Sequence, residues 1–297
     1  AAGRAVPTAV AHPCSPAALE AALEAAEAGL IAPLLVGPEA KIRALAQQLG
    51  KDLSGFTLVD AAHSHDAAAK AVALVREGKA SLLMKGSLHT DELMGAVVNA
   101  AAGLRTERRI SHAYVMDVPG HNRPLIITDA AINIAPTLEE KADIIRNAIG
   151  LAHAIGIDEP KVAILAAVET VNPAMKSTLE AAALCKMAER GQITGALLDG
   201  PLAFDNAISE AAAREKGIVS PVAGKAEILV VPDLEAGNML AKQLTFLGQA
   251  DAAGVVLGAR VPIILTSRAD SLRTRLASAA LAVLLADGKA VLPAGEG

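Results

Sequence analysis

The strongest concentration of reactive side chains lies near the C-terminus, in Leu265-Thr266-Ser267-Arg268-Ala269-Asp270-Ser271. A hydroxyl, a guanidinium and a carboxylate fall within four positions, between an apolar run and a helical stretch. Arginine offers a planar fork that matches phosphate oxygens, and a helix N-terminus adds main-chain donors for the same anion. A serine cap beside a surface Arg–Asp pair accommodates the same residues. A second segment, Met84-Lys85-Gly86-Ser87-Leu88-His89-Thr90, follows a strand and precedes a helix. Its glycine is expected to free N–H groups beside Lys85, Ser87 and Thr90, so that the turn cradles an anion. An ordinary strand-to-helix connection with a capping hydroxyl is the alternative.

Further turns follow apolar runs. In Asp199-Gly200-Pro201-Leu202-Ala203-Phe204-Asp205 the Gly-Pro pair is expected to turn the chain at the carboxyl edge of a sheet, where ligands bind in open α/β folds. Asp205 then either meets a ligand or caps the next helix. In Pro232-Asp233-Leu234-Glu235-Ala236-Gly237-Asn238, Asp233 has the same two options and Gly237 permits close approach of another backbone. Ser220-Pro221-Val222-Ala223-Gly224-Lys225 adds a turn with a cation.

The elements that must position these turns have an α/β rhythm. Apolar runs of strand length at 32–36, 56–59, 80–84, 161–166, 195–198, 227–231 and 262–265 alternate with stretches of helical period. Several are continuously apolar, as in a mostly parallel sheet flanked by helices. Residues 113–116 and 125–128 flank Asp117-Val118-Pro119-Gly120 and predict an antiparallel hairpin. Ser15-Pro16, and Pro136-Thr137 ahead of Glu139 and Glu140, mark helix starts. The apolar run 276–286, bounded by Arg275 and Asp287, is too short to span a membrane and reads as a buried helix.

With 297 residues, 53% of them hydrophobic, the chain has material for two lobes. One Tyr, three Phe and no Trp leave the core to Ala, Val, Leu and Ile. A net charge of −5 gives no broad attraction to nucleic acid or an anionic membrane, so an anion must be held locally. Cys14 and Cys185 alone make no disulfide framework, and with no secretory signal the expected compartment is the cytoplasm. The histidines, His63 and His65 included, lack the spacing of a metal site, and none is expected.

The lysine-glycine turn, DGPLAFDNA, SPVAGKAEILVVPDLEAGN and LTSRADS together resemble the phosphate acetyltransferase and phosphate butyryltransferase family, over nearly the whole chain. Gly103-Leu104-Arg105-Thr106 with Ile110-Ser111-His112 is similar to the butyryl branch, and Asp129-Ala130-Ala131-Ile132-Asn133 also fits. The resemblance implies an isocitrate/isopropylmalate dehydrogenase-like fold of two α/β domains with a cleft between them. The first would comprise 1–115 and 257–297, the second, inserted, 116–256. It implies a homodimer acting on coenzyme A, acyl-CoA and phosphate or acyl phosphate, with coenzyme A as substrate and no tightly bound cofactor. Ser267 and Arg268 match the family's Ser-Arg pair, whose arginine binds the phosphoryl group and whose serine lies beside the reacting thiol. The acetyl branch places an aspartate, the thiol's base, seven positions after that serine; here Thr274 stands there, and Asp270 is the substitute. The expected substrate contacts in the N-terminal half are Lys85, Gly86, Ser87, Thr90 and Arg105. Asn133, Pro201, Asp205, Asp233, Gly237 and Asn238 complete the set.

The implied reaction is direct: thiolate attacks the acyl phosphate carbonyl and phosphate leaves. Two rivals remain. A catalytically silent protein that binds coenzyme A or acyl phosphate would keep the fold without turnover. A decarboxylating dehydrogenase using a metal and a nicotinamide cofactor would need an acidic cluster or a G-x-G-x-x-G fingerprint after a strand, and the sequence has neither.

Overall fold

The computed structural model describes residues 5–266 and 270–289, the last without its side chain. The chain divides into two compact units, one built from 1–108 and 253–297, the other from 109–252. The first half of unit 1 runs β1 (Val6–Ala11), α1 (Pro16–Glu27), β2 (Ile31–Gly37), α2 (Glu39–Gln48), β3 (Thr57–Asp60), α3 (Ser64–Arg76), β4 (Leu82–Lys85) and α4 (Thr90–Val98). Unit 2 follows with β5 (Ser111–Asp117), β6 (Leu125–Thr128), α5 (Leu138–Ala154), β7 (Lys161–Leu165), α6 (Lys176–Glu189) and β8 (Leu197–Leu202). It continues through α7 (Phe204–Ile208), α8 (Glu210–Glu215), β9 (Ile228–Val230) and α9 (Leu234–Phe246). The return to unit 1 is made by β10 (Asp251–Leu257), β11 (Ile263–Ile264) and α10 (Leu272–Lys289).

In unit 1 the strands lie in the order β3-β2-β1-β4-β11-β10, all parallel except the antiparallel β10–β11 pair. The carboxyl ends of β1, β2, β3, β4 and β11 therefore share one edge. The register aligns Val10 with Met84 and Ala11 with Lys85, and across β4 it aligns Ile264 with Met84. Helix α1 buries Leu19, Ala21, Ala22, Leu23 and Ala25, a face of small side chains that suits a core almost free of aromatics. Ser15 caps it by accepting from the Ala18 N–H, and Pro16 stands at its first position.

In unit 2 the order is β5-β6-β9-β7-β8. The expected hairpin is present, with Ala113 opposite Thr128 and Met116 opposite Leu125, and the other pairs are parallel. Thr137 and Glu140 form a reciprocal capping box at the start of α5. Under this helix the buried Lys141 ammonium bonds Glu180 at 2.5 Å, and Lys176 reaches the same carboxylate at 3.0 Å.

Several expectations are corrected. β1 and β10 are strands that the sequence pattern does not announce, because Ala, Gly254 and Pro7 depress strand propensity while burial in the sheet supplies the stability. Asp199-Gly200-Pro201 is not a turn beyond a strand but part of β8. β8 ends the strand order of unit 2, and the register with β7 shifts between Ala163 and Leu165, so the missing proline N–H breaks no ladder bond. Gly200 is needed there: a Cβ would stand 2.8 Å from the Ile164 carbonyl oxygen. Asp205 caps nothing, since Ala203 is the N-cap of α7 and Asp205 sits in its first turn. Helix α10 is buried on one face only: Ala279, Leu281, Ala282 and Leu285 are covered and Leu284 is exposed.

Candidate active site

Two strands of unit 1 bring the lysine-glycine turn against the end of β1. β4 ends at Lys85, and α4 starts after His89, whose N–H donates to Glu92 at 2.8 Å. The Gly86 and Ser87 N–H groups, expected to be free to cradle an anion, are engaged instead: each donates at 2.8 Å, to the carbonyls of Ala11 and His12. Glycine is required at 86 because a Cβ would lie 2.3 Å from the Ala11 oxygen and 2.4 Å from the His12 oxygen.

The Ser87 hydroxyl is likewise committed. It donates to the His12 carbonyl at 2.9 Å, accepts from the Cys14 N–H at 3.2 Å, and meets His12 Nδ1 at 3.1 Å. A serine hydroxyl has one proton and two acceptor sites. The hydroxyl proton has two acceptors within reach, that carbonyl, which already accepts two main-chain N–H groups, and Nδ1; with it on the carbonyl, Nδ1 carries the ring proton and Nε2 the lone pair. Ser87, expected as a substrate contact, is a holding group, and the residue it holds, His12, is one that sequence reasoning missed. His12 adopts φ +56°, the left-handed region uncommon for a residue with a side chain. Burial and then the Lys41 cation lower its pKa, against a smaller opposing effect of Glu92.

Of the other expected residues in unit 1, Lys85 sends its ammonium to the Gly86 carbonyl at 3.3 Å, and Thr90 is exposed at the first position of α4. Arg105 is exposed in a segment tied down on both sides of it. The Leu104 carbonyl accepts from the Arg260 N–H and the Thr106 hydroxyl donates to the Gly258 carbonyl at 2.6 Å. Ser267 and Arg268 lie outside the described residues. Asp270 is described, and its carbonyl accepts from the Arg275 guanidinium at 2.9 Å, which also pairs with Glu24.

In unit 2 only Asn133, Gly237 and Asn238 of the expected residues meet the Asp129–Ala130 segment at the end of β6, and β8, which carries Pro201, stands three strands away. The buried Asp129 carboxylate accepts from the N–H groups of His112, Ala131, Ile132 and Asn133 and from the Asn133 side-chain amide at 2.6 Å. Asn133 also donates to the Ile110 carbonyl and accepts from Arg109. Gly237 makes the close approach expected of it, since a Cβ would meet the Asp129 oxygen at 2.8 Å; Asn238 donates to the Ala130 carbonyl. Asp233 caps α9 through the Ala236 N–H. Pro201 lies in β8, and Asp205 is exposed on α7, the helix that follows it. His112 is fully buried beside Asp129, with Nδ1 unpartnered and Tyr114 packed edge-on at 4.4 Å; burial drives its pKa to about 4, against the pull of Asp129.

Both cysteines are kept as thiols: burial raises the pKa of Cys14, and burial with Asp199 and Glu189 pushes Cys185 to about 12. Among the described residues no three His, Cys, Asp or Glu side chains group to hold a metal, and no helix is long and apolar enough to cross a membrane.

Residues 63–283 match the family model described as Phosphate acetyl/butaryl transferase. A phosphate acetyltransferase of Rhizobium meliloti is 70% identical over 94% of this chain and 88% of its own length. A phosphate butyryltransferase of Clostridium acetobutylicum is 45% identical over 91% and 90%. The crystal structure of a branched-chain phosphotransacylase from Enterococcus faecalis superposes with a TM-score of 0.82 at 29% identity, covering 95% of this chain and 99% of that one. The chain belongs to the phosphate acetyl/butyryl transferase family.

Proposed function

We propose that this chain transfers a short acyl group between coenzyme A and inorganic phosphate, with acetyl as its principal acyl group. The choice of acetyl rests on the 70% identity with the Rhizobium meliloti enzyme named for it. The observation that carries the site is the register of unit 1. β11 runs parallel to β4, so Leu265 and Thr266 leave the sheet at the edge where Lys85, Gly86 and His12 stand, and Ser267 and Arg268 follow in sequence.

At that edge Arg268 is proposed to grip the phosphoryl group through its planar fork, with Lys85 as a second cation. Ser267 is proposed to lie beside the thiol. Thr90 and Arg105, both exposed, are proposed to contact the coenzyme; in unit 2 Asn133, Pro201 and Gly237 are buried within the fold, which leaves Asp205, Asp233 and Asn238 as the contacts proposed there. A thiol of ordinary pKa about 8.5 needs a base, and Asp270 is the carboxylate that the sequence offers. The raised pKa values of both cysteines favour direct transfer over an acyl-cysteine intermediate. A cytoplasmic homodimer completes the proposal.

The test is phosphate-dependent release of free thiol from acetyl-, butyryl- and isobutyryl-coenzyme A. Release should require phosphate, run fastest with acetyl, and fall by roughly 10²–10³ in Arg268→Ala, the cost of removing one preorganised donor to developing charge. No release with any donor from folded protein would replace this reading with that of a binding protein.

A further inference from the structure

We propose that His12, held by Ser87, is the group that takes the thiol proton. This rests on the acyltransferase reading above. It assigns the base to a residue at the end of β1 rather than to Asp270.

Four observations converge on it. His12 stands at the shared carboxyl edge, and by register it flanks Gly86 on the side opposite Thr266. Two strand spacings separate His12 and Thr266, about 10 Å of backbone, a span a thioester and a phosphoryl group can bridge. Its ring is held by Ser87 at Nδ1, and in the tautomer in which the Ser87 proton goes to the His12 carbonyl, Nε2 is the nitrogen with the lone pair. The backbone at φ +56° is fixed by three hydrogen bonds to one carbonyl, from the Cys14 N–H, the Ser87 N–H and the Ser87 hydroxyl. A strained backbone that its surroundings over-determine is the form in which functional sites store precision. A base fixed through its second nitrogen by a hydrogen-bonding partner is the recurring arrangement for histidine in catalysis.

Burial does most to keep the ring neutral. Burial and then Lys41 on α2 lower its pKa and Glu92 on α4 works against them; Lys85 on β4 is a further cation at this edge, and Cys14 is an uncharged thiol. At neutral pH the imidazole is therefore a proton acceptor. In the step, the thiol S–H breaks and its proton passes to Nε2. The sulfur electron pair forms the S–C bond at the acyl carbonyl, the C–O bond to phosphorus breaks, and phosphate leaves with that pair. The imidazolium returns its proton to the departing phosphate. Run backwards, the same ring protonates the leaving thiolate.

His12→Asn separates this role from a structural one. Asparagine tolerates the left-handed backbone and can place its amide donor where Nδ1 meets Ser87, but it has nothing at the Nε2 position. The experiment measures kcat/KM for acyl phosphate and coenzyme A from pH 5 to 9 in wild type, His12→Asn, Ser87→Ala and Asp270→Asn. Wild type should lose activity below an apparent pKa under 6.5. His12→Asn should melt near wild type, keep KM for coenzyme A within about threefold, lose roughly 10²–10⁴ in kcat, and no longer show that limb. Ser87→Ala should lose less and keep the limb, as should Asp270→Asn. If His12→Asn retains both kcat and the limb, or if Asp270→Asn abolishes the limb, the assignment is overturned. A wild type with no phosphate-dependent turnover would instead overturn the activity itself, and the role of His12 with it. Should His12→Asn not fold, Ser87→Ala decides: an unchanged kcat and pH profile there would overturn the holding arrangement.

Discussion

Replacing Gly86 with alanine tests whether the contact between the β4 turn and the end of β1 is as close as the structure shows. The new Cβ would sit 2.3 Å and 2.4 Å from two carbonyl oxygens, both main-chain atoms that cannot swing aside. Relief requires the turn to withdraw by roughly 1 Å, which takes two N–H···O bonds of 2.8 Å beyond the useful range of about 3.2 Å. At about 1 kcal/mol for each bond and some further loss from the Ser87 hydroxyl, the folded state loses roughly 3 kcal/mol. The stiffer denatured chain returns about 0.5–1 kcal/mol of that. A net loss of about 2 kcal/mol corresponds to a fall of roughly 5 °C in the melting of unit 1. Activity should suffer more, because a 1 Å displacement of groups around a reacting centre is worth about 10²-fold. Calorimetry and the thiol-release assay on the same preparation measure both. Melting within 1 °C of wild type together with turnover within threefold would refute the close approach, and with it the argument that glycine is required there.

Buried His112 makes unit 2 acid-sensitive. Its folded-state pKa, near 4 against 6.5 for a free imidazole, means that the stability it contributes is fully present above pH 6.5 and lost as pH falls toward 4. At about 1.4 kcal/mol per pH unit the loss is of order 3–4 kcal/mol, and denaturant titrations of wild type and His112→Gln across that window should differ by that order; parallel curves would refute it. Lys141→Met should cost about 2–3 kcal/mol by leaving Glu180 buried with Lys176 as its remaining partner, and adding Glu180→Gln should recover most of it. A single variant within 0.5 kcal/mol of wild type by urea denaturation would show that the pair is worth less than its burial implies.

What could be read from the sequence was set by how local each cause is. The caps Ser15, Thr137 and Asp233 act on N–H groups three residues away, so a short window contains the whole interaction. The requirement for glycine at 237 was also legible, although its partner Asp129 is distant, because the residue type alone announces a close contact. The lysine-glycine turn was legible as a place but misread as a device. The groups that saturate its N–H donors and the Ser87 hydroxyl belong to residues 75 positions earlier, and nothing within the turn reports them. His12 was doubly hidden, a lone histidine behind a strand whose Ala, Thr and Pro content does not look like one. In β8 the Gly-Pro pair signalled a turn by its local chemistry, and the end position of the strand in its sheet overrode that signal.

The split course of unit 1 has a consequence for how the protein is born. β11 is only Ile263–Ile264, yet it stands between β4 and β10. During synthesis, all of the unit 2 elements emerge before the strand that covers the outer side of β4. For the time a ribosome takes to add residues 109–264, roughly eight to thirty seconds at 5–20 residues per second, that side of β4 lacks its neighbour. Leu82, Leu83 and Met84, all buried in the finished molecule, are then an open sheet margin, the kind of surface that other chains add to. The nascent chain stays open to misassembly throughout the synthesis of unit 2, and chaperone demand should persist until β11 emerges.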